Sequence, residues 1–106
     1  MAQFDVHRNT GRHADTIPYI VIVQSSIFDD YRRRVVVPLV RASAIGKLAL
    51  PTLNPAFRIR GTAVVLHPLE IVSVATSQLG AKVGNLAAQG QEIIGAIDEV
   101  VTRAWK

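Results

Sequence analysis

Two short runs limit the fold more than any other feature of the sequence. Tyr19-Ile20-Val21-Ile22-Val23 is continuously apolar and mostly β-branched, and Arg34-Val35-Val36-Val37-Pro38-Leu39 holds three consecutive valines. β-Branched side chains lose rotamer freedom in a helix and pack well on a pleated surface. Both runs therefore read as strands, and the first, with no polar position, as a buried one. Pro38 has no N–H to give a ladder, which places the end of its strand at a sheet edge or bulge.

Weaker signals fill in the rest. Gln3 to His7 alternates polar and apolar, as a half-buried strand does. Asn9 to Thr16 is polar, contains Gly11 and reads as a loop, and Leu50 to Pro55 is a connection with two prolines. Phe57-Arg58-Ile59-Arg60 alternates, Gly61-Thr62 turns and Ala63 to His67 returns, which predicts a hairpin. Ile71 to Thr76 allows one more strand. Ser25 to Arg33 is mostly polar, with Ile27 and Phe28 inside it as core under a loop.

The C-terminus changes period. Leu86, Ile93, Ile94, Ile97, Val100, Val101 and Ala104 recur at helical spacing and predict one apolar stripe, with Asn85 as the cap. Gly90 and Gly95 each weaken that helix by roughly 1 kcal/mol relative to alanine and leave room for close packing. The expected architecture is an antiparallel β domain closed by one C-terminal helix. A chain of 106 residues has no room for a second core, so residues 1–106 form a single domain.

Composition excludes several classes. The absence of cysteine removes disulfides, thiolate metal sites and cysteine nucleophiles. With 49% apolar and 19% charged residues the chain is not a disordered one. No uncharged apolar run approaches the roughly 20 residues of a membrane-spanning helix. The opening Met-Ala-Gln-Phe-Asp lacks a basic region followed by an apolar run, so a cytoplasmic location without membrane contact is expected.

The net charge of +4 is unevenly spread. No acidic residue lies between Asp30 and Glu70, while Arg32, Arg33, Arg34, Arg41, Lys47, Arg58 and Arg60 do. Such a block attracts polyanions. Sheets that bind nucleic acid usually add exposed aromatics for base stacking, and only Phe57 lies near the basic strand positions. An acidic protein partner is therefore favoured over nucleic acid, with Arg32, Arg41, Arg58 and Arg60 as the contacts.

Catalytic patterns fail one by one. His7, His13 and His67 have no metal-like spacing with a third ligand, and no serine sits in a nucleophile elbow. Gly46-Lys47 resembles the end of a phosphate loop, but Arg41 stands where the upstream glycine is required. Asp29-Asp30 and Asp98-Glu99 are adjacent carboxylates, which point apart on a helix. No catalytic residue, metal or cofactor is expected, and the chain does not read as an enzyme.

Several segments together resemble the CcdB toxin family. They are Gln3-Phe4-Asp5-Val6, Pro18-Tyr19 leading to Val23-Gln24-Ser25, and Arg34-Val35-Val36-Val37-Pro38-Leu39. Leu53-Asn54-Pro55, Ser73-Val74, Leu79-Gly80, Glu92-Ile93-Ile94 and Ala96-Ile97-Asp98 follow in family order. The resemblance implies an SH3-like β-barrel with a small additional sheet and a long C-terminal helix, assembled as a homodimer through the strand after Ser73 and the helix end. It implies the toxin half of a toxin–antitoxin pair that binds the DNA gyrase A protein and traps gyrase with its DNA cleaved. It also implies an antitoxin of the CcdA type, whose acidic disordered tail would fit the basic block.

By the same resemblance the gyrase contacts are Ile27 and Phe28, together with Asp98, Arg103 and Trp105 at the helix end. Family members usually end in a short Gly-Ile tail preceded by an aromatic residue. Thr102, Arg103 and Ala104 differ from that tail, and Trp105 is the one aromatic that could replace the wedge. A CcdB-like antitoxin-binding protein that has lost gyrase poisoning is the alternative expectation.

Overall fold

Val6, Val21 and Val37 stand in register on three neighbouring strands, and all three are fully buried. They belong to β1 (Asp5–Arg8), β2 (Tyr19–Ile22) and β3 (Arg33–Arg41). The computed structural model describes residues 2–46 and 50–103, with side chains described as far as Thr102. After β3 come a one-turn helix α1 (Ala42–Ile45), the hairpin β4 (Ala56–Ile59) and β5 (Thr62–Leu66), then β6 (Val72–Ala75), β7 (Lys82–Asn85) and α2 (Gly90–Asp98).

All seven strands are antiparallel neighbours in one sheet, ordered β4-β5-β3-β2-β1-β7, with β6 also paired to β3. The sheet curls into a half-barrel. Val64, Leu66, Phe57 and Ile59 extend its inner face, and Ile93 and Ala96 of α2 lie against it, both fully buried. The molecule is mainly β with one C-terminal helix, as an SH3-like fold of this kind requires. Among the described residues no helix is long and apolar enough to cross a membrane.

The continuous apolar run of β2 has a direct cause. Its outer face is covered too, because Ile22 pairs with Val36 and both are almost fully buried. The β1–β2 loop and the turn at Thr76–Gln78 meet over this outer face, tied by the Thr10 hydroxyl donating to the Gln78 carbonyl at 3.0 Å.

The hairpin forms, with its turn one residue earlier than expected, because Thr62 already pairs with Ile59. Arg60 and Gly61 both have positive φ, 48° and 82°, as a two-residue type I′ turn needs. Pro38 differs from expectation, because it lies inside β3 opposite Ile20 and not at a strand end. On its other side β3 pairs with β6 as far as Val36–Val72 and with β5 only from Leu39–Leu66. The missing N–H falls at this change of partner, and the Pro38 carbonyl still accepts from His67 N–H at 3.0 Å.

The C-terminal element also differs. Lys82–Asn85 is a strand paired with β1, which periodicity did not reveal. Asn85 is not the helix cap: its side-chain oxygen accepts the Ala87 N–H at 2.7 Å just before the short turn Ala87–Gln89, and α2 starts only at Gly90, with Gln89 at its cap position. The apolar stripe is split: Ile93 and Ala96 are buried, whereas Ile94 is 42% and Val101 65% exposed.

Candidate functional site

Between β2 and β3 the chain leaves the sheet in a loop whose shape is closely held. The Ser25 hydroxyl accepts the Ile27 N–H and opens a single 3-10 turn, Ser26–Phe28. This turn lifts Ile27 and Phe28 to 77% and 46% exposure. Both were expected as core under a loop, but among the described residues no element lies above the turn to bury them. Tyr31, 66% exposed, packs edge-to-face on Phe28 with ring centroids 6.0 Å apart.

Two side chains clamp the segment from below. Gln24 donates through Nε2 to the carbonyls of Phe28 at 3.2 Å and Arg33 at 3.3 Å, while its Oε1 accepts the Val35 N–H at 3.1 Å. Arg34 donates to the carbonyls of Tyr31 at 2.5 Å, Arg33 at 2.9 Å and Asp29 at 2.7 Å. Its Nε lies 3.8 Å from the Asp29 carboxylate, within ion-pair range but without a hydrogen bond. Arg34 is therefore buried, and it leaves the solvated basic block in which the sequence placed it.

Beside the loop lies an apolar groove of about 640 Å³, walled by Phe28, Tyr31, Ile71, Ile94 and Ile97, with Arg33 at its rim. Arg33 is fixed across β3–β6 by donating to Ser73 Oγ at 2.8 Å and the Ser73 carbonyl at 2.7 Å. Large exposed apolar side chains in one place mark an interaction surface. The structure thus brings Phe28 next to α2, as the sequence reading needs. Asp98 lines a separate groove of about 480 Å³ with Gly95, Glu92 and Glu99. Arg103 ends the wide final turn Glu99–Arg103. Its side chain and the whole of Trp105 lie outside the described residues. Tyr31 and Ile71 were missed, because contacts between a loop, a strand and a helix leave no periodic signal.

The arginines chosen for an acidic partner do not gather in one patch. Arg32 precedes β3 and Arg41 ends it, a span of roughly 30 Å at strand rise. Arg41 shares the sheet face of Leu39 and Val64, whereas Arg58, opposite Ala63, is on the other face. Arg41 donates to the Asp15 carbonyl at 2.6 Å, Arg58 to the Gly61 carbonyl at 3.0 Å and Arg60 to the Val83 carbonyl at 3.4 Å. Among the described residues the carboxylate ion pairs are Arg34–Asp29 and Lys82–Asp5, so these arginines keep their charge free of acidic neighbours. Phe57, the aromatic weighed for base stacking, is buried in the core.

Comparison with known proteins adds three findings. The family model described as CcdB protein matches residues 3–102. No curated protein sequence matches the chain significantly. Among solved structures, the chain is similar to an endoribonuclease in complex with its cognate antitoxin from Mycobacterial species. That match has a TM-score of 0.77 at 16% identity and covers 100% of this chain and 99% of the other. At that identity it speaks for the fold.

Proposed function

The chain belongs to the CcdB family, and from this premise we propose that it is the toxin of a toxin–antitoxin pair, which binds the DNA gyrase A protein and traps gyrase with its DNA cleaved. It acts as a binder and not as a catalyst. The observation that carries the reading is the Ile27–Phe28 pair, held out to solvent beside the groove along α2. These are the positions at which the family resemblance puts the gyrase contact. The structural neighbour, an endoribonuclease solved with its antitoxin, supports an antitoxin partner. Arg58 and Arg60, free of acidic neighbours on the β4–β5 hairpin, suit an acidic segment of it. A homodimer working in the cytoplasm completes the reading.

Trp105 supplies the wedge in this scheme. A buried tryptophan anchor cut back to alanine costs about 2–4 kcal/mol, or roughly 30- to 1000-fold in affinity. Induced expression should stop growth of gyrase-sensitive cells and spare cells whose gyrase resists this family. Trp105→Ala should abolish that toxicity and leave the fold intact. Equal toxicity in both hosts overturns the gyrase target, and cleavage of cellular RNA would then point to the chemistry of the structural neighbour. Toxicity unchanged by Trp105→Ala overturns the wedge. A second reading rests on the departures at Thr102, Arg103 and Ala104. On it, the protein binds an antitoxin and leaves growth unaffected.

A further inference from the structure

Segment 25–32 presents three exposed apolar side chains, Ile27, Phe28 and Tyr31, which no strand or helix covers among the described residues. A polar loop with that much apolar surface would collapse onto the nearby groove unless its backbone were fixed. Its own backbone bonds are three short turns: Phe28 to Ser25, Asp29 to Ser26 and Tyr31 to Phe28. Beneath them the Arg34 guanidinium reaches carbonyls on both sides of the Asp29–Arg33 bend, with its side chain only 6% exposed. A planar fork of donors can hold several carbonyls in one fixed arrangement, which a lysine ammonium on a flexible stem cannot do.

We propose that Arg34 is a positioning residue, whose buried guanidinium sets the backbone of segment 25–33 and thereby presents Ile27, Phe28 and Tyr31 to the partner. The inference rests on the functional reading only for the identity of that partner. Arg34 touches no partner itself, because the loop covers it. At the neck of the loop Asp29 faces its guanidinium and three carbonyls accept from it.

Amide hydrogen exchange and binding to purified DNA gyrase A protein test the idea on the whole chain. In Arg34→Lys, the amides of Phe28, Asp29 and Tyr31 are expected to exchange at least about tenfold faster, while the core amides of β2 and β3 keep their protection. Affinity for the gyrase A protein is expected to fall about tenfold, although the charge is conserved. Unchanged loop exchange overturns the inference. So does equal loosening of loop and core, which is a global stability effect. A loosened loop with unaltered gyrase affinity also overturns it. Wild-type protein that does not bind gyrase overturns the functional reading instead, and the loop-against-core contrast still decides what Arg34 holds. Should Arg34→Lys not fold, the wild-type guanidinium protons answer directly by nuclear magnetic resonance. Separate, slowly exchanging Nη signals are expected, and one averaged signal overturns the proposal.

Discussion

Asp5 is almost fully buried at the start of β1, and its carboxylate joins three parts of the chain. It accepts the Ala2 N–H at 2.8 Å and the Asn85 amide at 2.8 Å, and the Lys82 ammonium lies 3.3 Å away. Burial opposes the charge, but these donors and the ammonium outweigh it and hold the carboxyl below its ordinary value of 3.8. A carboxyl depressed in the fold adds stability that is present above the unfolded value and lost as pH falls through the folded one. Asp5→Ala is expected to cost about 1–3 kcal/mol near neutral pH. The gap from wild type should shrink as the pH drops below about 4, where the unfolded chain takes up the proton first and the folded one only at lower pH. Urea melts across pH check this, and a gap independent of pH would refute it. The Asp5 network was not legible in the sequence, because Lys82 and Asn85 are distant in the chain. Arg34 was misread for a related reason. Charge in a sequence does not say which guanidinium has carbonyls around it.

At the scale of elements, two glycines in α2 that look alike in sequence behave in opposite ways. A Cβ on Gly90 would stand 2.7 Å from the Phe4 ring, whereas one on Gly95 meets nothing within 4 Å. Gly90→Ala is expected to destabilise by about 1–3 kcal/mol through overpacking. Gly95→Ala is expected to stabilise by about 0.5–1 kcal/mol, since only the backbone entropy term remains. Thermal unfolding of both variants decides, and effects of the same sign would count against the packing of α2 on Phe4. The strands that carry most of the sheet were readable because β-branched residues concentrate in them. β7 was not, because Lys82-Val83-Gly84-Asn85 has little strand preference and exists through its pairing with β1. The stripe of α2 was legible as a period, but its exposed members were not. Ile94 turns from the core toward the groove it shares with Phe28 and Ile71.

Across the whole molecule, several large apolar side chains stand open to solvent. Ile71 and Val72 are 41% and 49% exposed, Leu69 is 62% exposed, and Ile94 and Val101 of the C-terminal segment are open as well. Such a surface on a small domain is expected to be covered by a second copy of the chain. Sedimentation should show a dimer at micromolar concentration, and Val72→Asp should shift it to monomer. A wild-type protein that sediments only as monomer would remove this surface from the proposed assembly.

The strand order has a further consequence for how the molecule comes into being. β2 with β3, and β4 with β5, are neighbours in sequence and can zip as soon as they leave the ribosome. β1 is different: one of its edges waits for β7, which is made only after most of the chain between them. Closing so distant a pair carries the entropy of a long loop before any contact rewards it. The sheet is completed at β1 only once β7 has been made. Until then the nascent chain holds an open edge and an uncovered apolar trough, the state in which chaperones or a co-translated partner would find it.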